Sequence, residues 1–295
     1  MPSTVEIQQE AMPRGSAKDV LARYMQAFVG RTKRNLILYY SGFLFAPNEN
    51  VSIQEEDMEG FMAALYKMDK SCGLDLFLHT PGGSVSATEG IGNYLKSVFN
   101  NNINCYVPHM AMSCGTLLAM ACRTIYMGKH SCLGPIDPAI GMYRTDAVVE
   151  EFNTAKTDIA QDPNLSLLWQ PILSKYPITL LGECKKATEL AKIVSEKWLT
   201  DNMLAQAPDA RLRLNRILSL FASHQNTKAH DRHISASECL KIGLEVRMIE
   251  EDPDLQDAVL SVHHAATLFM KQNNLVSMVT NPRCTGLFRN ANPSK

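Results

Sequence analysis

Four short apolar runs, separated by stretches with helical spacing, constrain the fold of this chain more than any other feature. Asn35-Leu36-Ile37-Leu38-Tyr39-Tyr40, Leu74-Asp75-Leu76-Phe77-Leu78-His79, Ile103-Asn104-Cys105-Tyr106-Val107 and Thr124-Ile125-Tyr126-Met127 each read as a strand. Between them, residues 53–70 line up Met58, Phe61, Met62, Leu65 and Tyr66 as one helical face, and residues 86–99 and 113–122 read as further helices. Strand, helix, strand, helix at this spacing predicts an α/β domain with crossover connections.

The rest of the chain is read in the same way. Residues 17–31, 143–161, 183–206, 209–223 and 253–272 have helical patterns, and Val246-Arg247-Met248-Ile249 closes the strand series. Ser235-Ala236-Ser237-Glu238 fits a capping box, with Ser235 as cap, and Gly243 stops the helix that follows. Residues 1–16 are polar, carry Pro2, Pro13 and Gly15, and are expected to form an arm. From Asn273 onward a mobile tail is expected. The resulting organisation is an N-terminal arm and helix over 1–31, a main domain over 32–250, and a C-terminal helix with its tail over 251–295. The helices at 1–31 and 183–223 are candidate contacts between copies.

Composition narrows the function classes. Hydrophobic residues make up 45% and charged residues 20% of 295, and the net charge is -1, so general attraction to nucleic acid or anionic membrane is not expected. No apolar run reaches the roughly 18 residues of a membrane span, and the first twenty residues lack an apolar signal core. A cytoplasmic location is the expectation. The eight cysteines include no CxxC pair, which argues for reduced, mostly buried thiols over a zinc or disulfide framework. Cys114 stands apart because it follows Ser113 directly. His263-His264 has no ligand spacing to a partner, so no metal is expected, and Trp169 and Trp198 are read as packing residues.

Two strand-to-helix junctions carry the chemistry. In Thr80-Pro81-Gly82-Gly83-Ser84 the glycine pair can turn the chain sharply and bring backbone N–H groups close to a ligand, or serve simply as a turn. Ser113 opens a helix, where free N–H groups would stabilise an oxyanion, but a serine there is also a common helix cap.

Together the two junctions resemble the Clp/crotonase superfamily, and within it the SppA-like and serine dehydrogenase proteinase peptidases. The residues that carry the resemblance are Leu76 to Ser84, Met112-Ser113-Cys114-Gly115-Thr116, and Ser131-Cys132-Leu133-Gly134-Pro135-Ile136-Asp137-Pro138, with Ser113 lying 32 positions after Pro81. It covers residues 33–140 and continues more faintly to 248. The implied fold is a Clp/crotonase-like ββα spiral with appended C-terminal helices. The implied activity is that of a serine peptidase without metal or organic cofactor, usually a homo-oligomer.

In that resemblance Ser113 is the nucleophile, and the N–H groups of Gly83 (or Gly82) and Cys114 form the oxyanion hole, with a side chain at 114 that need only be small. A serine hydroxyl needs a proton acceptor. The family order Ser, Asp, His maps onto Ser113, Asp137 and His230. His233 and His130 are nearby competitors, and Asp137 before Pro138 is also a common turn residue. The SppA-like alternative is a lysine base, for which Lys156, 43 positions after Ser113, has the spacing. No GxxxxGK[ST] motif is present, so ATP-driven unfolding would need a separate ATPase partner. Two other readings compete with the peptidase: a catalytically silent scaffold or binding module in which Ser113 only caps a helix, and crotonase-like acyl-CoA chemistry.

Overall fold

A computed structural model describes residues 4–14, 17–141, 143–222 and 231–291. The four apolar runs are strands: β1 (Asn35–Ser41), β2 (Leu74–His79), β3 (Ile103–Val107) and β5 (Thr124–Met127). With β10 (Val246–Met248), β11 (Leu275–Thr280) and β12 (Gly286–Asn290) they form, among the described residues, a seven-stranded sheet in the order β10-β5-β3-β2-β1-β11-β12. The strands from β10 to β1 are parallel, whereas β11 and β12 are added antiparallel.

Helices cover both faces of the sheet, which explains why its strands are apolar nearly throughout. Ile37, Tyr39, Leu76, Leu78, Cys105 and Val107 point into one core, together with α3 (Asp57–Leu65), α4 (Val85–Phe99) and α5 (Cys114–Met120). Leu36, Leu38, Tyr40, Phe77 and Tyr106 point into the other, against α1 (Thr4–Arg14), α2 (Ala17–Thr32) and α11 (Pro253–Gln272). After β3 and β5 the chain leaves the main sheet for a small second one, in which β4 (Met110–Ala111) pairs with β6 (Cys132–Leu133) and β6 with β9 (Ile234–Ser235). This change of sheet brings Ser113 and the Gly134–Pro138 segment to the same end of the parallel strands.

Beyond a short hairpin of β7 (Ala139–Ile140) and β8 (Tyr143–Arg144) come α6 (Thr145–Gln161), α7 (Ser166–Leu173) and α8 (Leu180–Trp198). They surround a small core of their own, built on Val148, Leu180 and Cys184. Trp198 is buried, as a packing residue should be, and donates to Asn93. The expected helix over 183–206 ends instead in a π-turn at Leu199–Met203. α9 (Ala210–Phe221) follows, and α10 (Ala236–Ile242) starts at the capping box: Ser235 Oγ accepts from the Glu238 N–H, while Glu238 accepts from the Ser235 N–H.

Both ends of the chain differ from the expectation. Residues 4–14 form a helix, and Ile7, Leu21, Met25 and Phe28 of α1 and α2 are fully buried, so this segment completes the core. The stretch from Leu275 is a hairpin that extends the sheet. Its anchor is Arg289 on β12, which reaches the fully buried carboxylate of Asp57 at 3.2 Å. Asp57 also accepts from Tyr39 Oη at 2.8 Å and from the Gln54 N–H at 2.9 Å. Burial pushes this carboxyl up, and the Gln54 amide, the Arg289 charge and the Tyr39 hydroxyl offset part of that shift. A local reading of the polar C-terminal sequence cannot detect this anchor, because its partner lies more than 230 positions upstream. Arg289→Met strands the buried charge and is expected to lower unfolding free energy by about 3 kcal/mol, read as a reduced urea midpoint at unchanged m-value.

A second buried polar group has no carboxylate in it. His79, at the end of β2, packs against Tyr40, Phe43, His109 and His263, with ring centroids 5.4 Å from His109 and 5.2 Å from His263. Burial, with the His109 ring as a second cause, holds His79 down at about 3. His263 is likewise held well below its ordinary value by burial and then by His79, His264, His109 and His130. The unfolded chain takes up these protons near pH 6.5, whereas the folded chain resists them. Stability is therefore full above that pH and falls as the solution is acidified toward 3. At about pH 4.5 the His79 contribution alone is a loss of roughly 2–3 kcal/mol. Thermal melts between pH 7 and 4.5 should show this loss, and His79→Gln should flatten the slope.

Candidate active site

The turn at Ser113 has an unusual backbone. Ser113 adopts φ 50° and ψ -119°, a conformation costly for a non-glycine residue and held only when its surroundings enforce it. Its carbonyl begins α5 by accepting from the Leu117 N–H at 3.0 Å, but its side chain makes no capping hydrogen bond. The cap reading of the sequence is therefore not realised, and the hydroxyl stays half-buried at the helix entrance. The Cys114 N–H is the first of the helix, where backbone donors have no intrahelical acceptor.

The glycine-pair loop is pressed against this turn. Thr80 and Ala111 form a parallel bridge, with the Thr80 N–H donating to Met110 at 3.1 Å and the Met112 N–H to Thr80 at 2.9 Å. Gly82, at φ +103°, lies so close that a Cβ there would sit 2.7 Å from Ser113 Cβ, 2.8 Å from the Met112 carbonyl and 2.9 Å from the Cys114 nitrogen. Gly83 bridges Ile53: the Ile53 N–H donates to Gly82 at 2.8 Å and the Ser84 N–H to Ile53 at 2.9 Å. In an extended residue bonded on that side, its own N–H and C=O face the other way. Gly83 thus turns both groups away from Ile53, and its carbonyl meets the Cys114 thiol at 3.0 Å. The Gly82 N–H is engaged by Thr80 Oγ1 at 3.2 Å, and the Gly83 N–H faces away from the Ile53 bridge.

The Gly134–Pro138 segment joins the same end of the sheet. The Gly134 N–H donates to Thr116 Oγ1, which in turn donates to the Ala111 carbonyl, tying the segment to α5. Asp137 is buried, at 4% exposure, and accepts from Arg144 at 3.2 Å; Arg144 also reaches Asp146 at 2.9 Å. The Ile136 N–H donates to the carbonyl of Phe221, the last residue of α9. His230 lies outside the described residues. His233 is exposed just before β9, and it and His130 are near enough to His109 to help lower it, after burial. His130 Nε2 is 2.9 Å from the Pro108 carbonyl. Lys156 is exposed on α6, without the burial that a lysine base requires.

Beside Asp146 a groove of about 830 Å3 opens between α6 and α8, lined by residues including Glu150, Thr154, Lys185, Thr188 and Lys192. Among the described residues no group of three or more His, Cys, Asp or Glu side chains is placed to hold a metal ion, and no helix is long and apolar enough to cross a membrane. Sequence reasoning missed three supports of the site: Ile53, which braces the glycine loop, Thr80, whose hydroxyl takes the Gly82 amide, and Arg144, which pairs with Asp137. Thr80 was read only as part of the glycine-pair junction, and no sequence signal pointed to Ile53 or Arg144.

Residues 42–204 match the family model of ClpP-like SDH-type serine proteinases. Two uncharacterized proteins of Methanocaldococcus jannaschii are 35% identical over 161 residues and 33% identical over 158. These matches cover 50% of this chain and 54% and 52% of the relatives, so the chain spans about half the length of the curated relatives it matches. Among solved structures, a mutant of the 1510-N membrane-bound stomatin-specific protease aligns with 70% of this chain and 79% of its own, at 17% identity and a TM-score of 0.35.

The close approach at Gly82 yields a direct test. Gly82→Ala should lower labelling of Ser113 by a serine-directed fluorophosphonate on the order of 100-fold, because the new methyl group pushes the loop off the turn. Gly90→Ala, where only Met58 Cε lies within 4 Å of the added carbon, should leave labelling unchanged.

Proposed function

The chain belongs to the ClpP-like SDH-type serine proteinase family, and from that premise we propose that it is a serine endopeptidase acting on unfolded or small polypeptides. Ser113 Oγ attacks the scissile carbonyl carbon. The developing oxyanion accepts from the N–H groups of Gly83 and Cys114. The proton passes to a base and then to the leaving amine, and water hydrolyses the acyl-enzyme. Neither a metal nor an organic cofactor has a role in this scheme. The observation that carries the reading is the strained Ser113 backbone, in which the hydroxyl does not cap the helix it opens.

We assign the base to His230, oriented by Asp137. Support comes from the described residues on either side of the 223–230 stretch: Phe221 bonds to Ile136, next to Asp137, and Ile234 pairs with Leu133. His233 and Lys156 are the alternatives. The groove beside Asp146 is the candidate path for a peptide leaving the site, since its mixed charges and threonines suit a polypeptide backbone. Assembly of several copies, and any ATPase partner, belong to the same proposal. Leu167, Leu168 and Ile178 are exposed on the α6–α8 hairpin.

Ser113→Ala should abolish fluorophosphonate labelling and casein cleavage together. His230→Ala is expected to lower kcat/KM by at least about 100-fold, whereas His233→Ala and Lys156→Ala should stay within a few-fold of the parent. Full activity in His230→Ala would remove the triad, and loss in Lys156→Ala would replace it with a Ser–Lys dyad.

A further inference from the structure

The side chain at position 114 does more than stay small. Cys114 is 4% exposed, and its Sγ lies 3.0 Å from the Gly83 carbonyl oxygen, on the face of Gly83 opposite Ile53. Gly83 is therefore held from both sides: Ile53 fixes the peptide groups that flank it, and the thiol fixes its own carbonyl. Because the N–H and C=O of an extended residue point the same way, the bond that sets the carbonyl also sets the N–H. We propose that Cys114 is a positioning residue of the oxyanion hole, its S–H donated to Gly83 so that the Gly83 N–H faces the oxygen of the carbonyl attacked by Ser113.

This inference rests on the reading of Ser113 as nucleophile and Gly83 as oxyanion donor. It assigns a second role to the thiol as well. In that reading the Gly83 carbonyl oxygen lies on the same side as its N–H, and a donated S–H satisfies that oxygen, which would otherwise stand unpaired next to developing charge. Burial raises the thiol's pKa, which keeps the proton in place through neutral pH. An alanine at 114 has the required smallness but no donor. A serine restores the donor on a shorter arm.

The test compares the parent protein with Cys114→Ala and Cys114→Ser, using fluorophosphonate labelling rates and peptide hydrolysis. Cys114→Ala should lower kcat by about tenfold or more with KM within twofold, and Cys114→Ser should recover most of the loss. The infrared S–H stretch supplies a readout that a merely space-filling role would not move. The difference spectrum of parent minus Cys114→Ala should show one band at the frequency of a hydrogen-bonded thiol, also in the Ser113→Ala background. Unchanged kcat in Cys114→Ala, a band at the free-thiol frequency, or a loss that Cys114→Ser does not rescue would each overturn the inference. A parent protein that is not labelled at all would instead overturn the peptidase reading on which it rests, so the two failures are distinguishable.

Discussion

The site depends on one gap that only a missing side chain can leave. Gly82 lies against the Ser113 turn at a distance that no β-carbon could occupy, and its positive φ suits glycine for the same position. Because the loop fits there, the end of β2 can bridge the chain just before α5, and two backbone segments far apart in sequence meet at the Ser113 turn. In the proposed mechanism such preorganised backbone donors need no reorganisation as charge develops.

That gap is held open from a distance. Ile53 hydrogen-bonds both sides of Gly83, and the next residue, Gln54, donates its N–H to Asp57. Asp57 is buried, and its charge is balanced by Arg289 from the last strand. A buried carboxylate that loses its partner is strongly destabilising, so the C-terminal hairpin is bound to the fold by more than sheet hydrogen bonds. Through Asp57 and Ile53 the hairpin also braces the glycine loop. On the other face of β2, His79 lies immediately before Thr80, in ring contact with His109 and His263. Acid that charges them would strain the same strand from which the loop departs.

Much of this was legible in the chain. The strands at 35–40, 74–79, 103–107 and 124–127 and the helix at 253–272 follow local periodicity, and local periodicity is what a linear reading measures. The capping box at Ser235 and Glu238 was equally clear, because both partners lie within one helical turn. The ends were misread for the converse reason. Ile7, Leu21, Met25 and Phe28 are buried by α11, and β12 is secured by Asp57, so neither segment reveals its partner in its own neighbourhood.

By itself the sequence determined the α/β class, the order of the main elements, and the residues that meet at one end of the sheet: the glycine pair, the serine and the Gly134–Pro138 segment. The class and the element order follow from local periodicity, and the three segments were singled out by their resemblance to a known family. Only the tertiary structure decided that Ser113 does not cap its helix, that the Gly82 N–H is taken by Thr80 while Gly83 bridges Ile53, and that the Cys114 thiol bonds the loop opposite. Each is a matter of direction between segments distant in sequence. Direction is set by sheet bridges, close packing and buried charge acting together, and no stretch of residues read alone contains it.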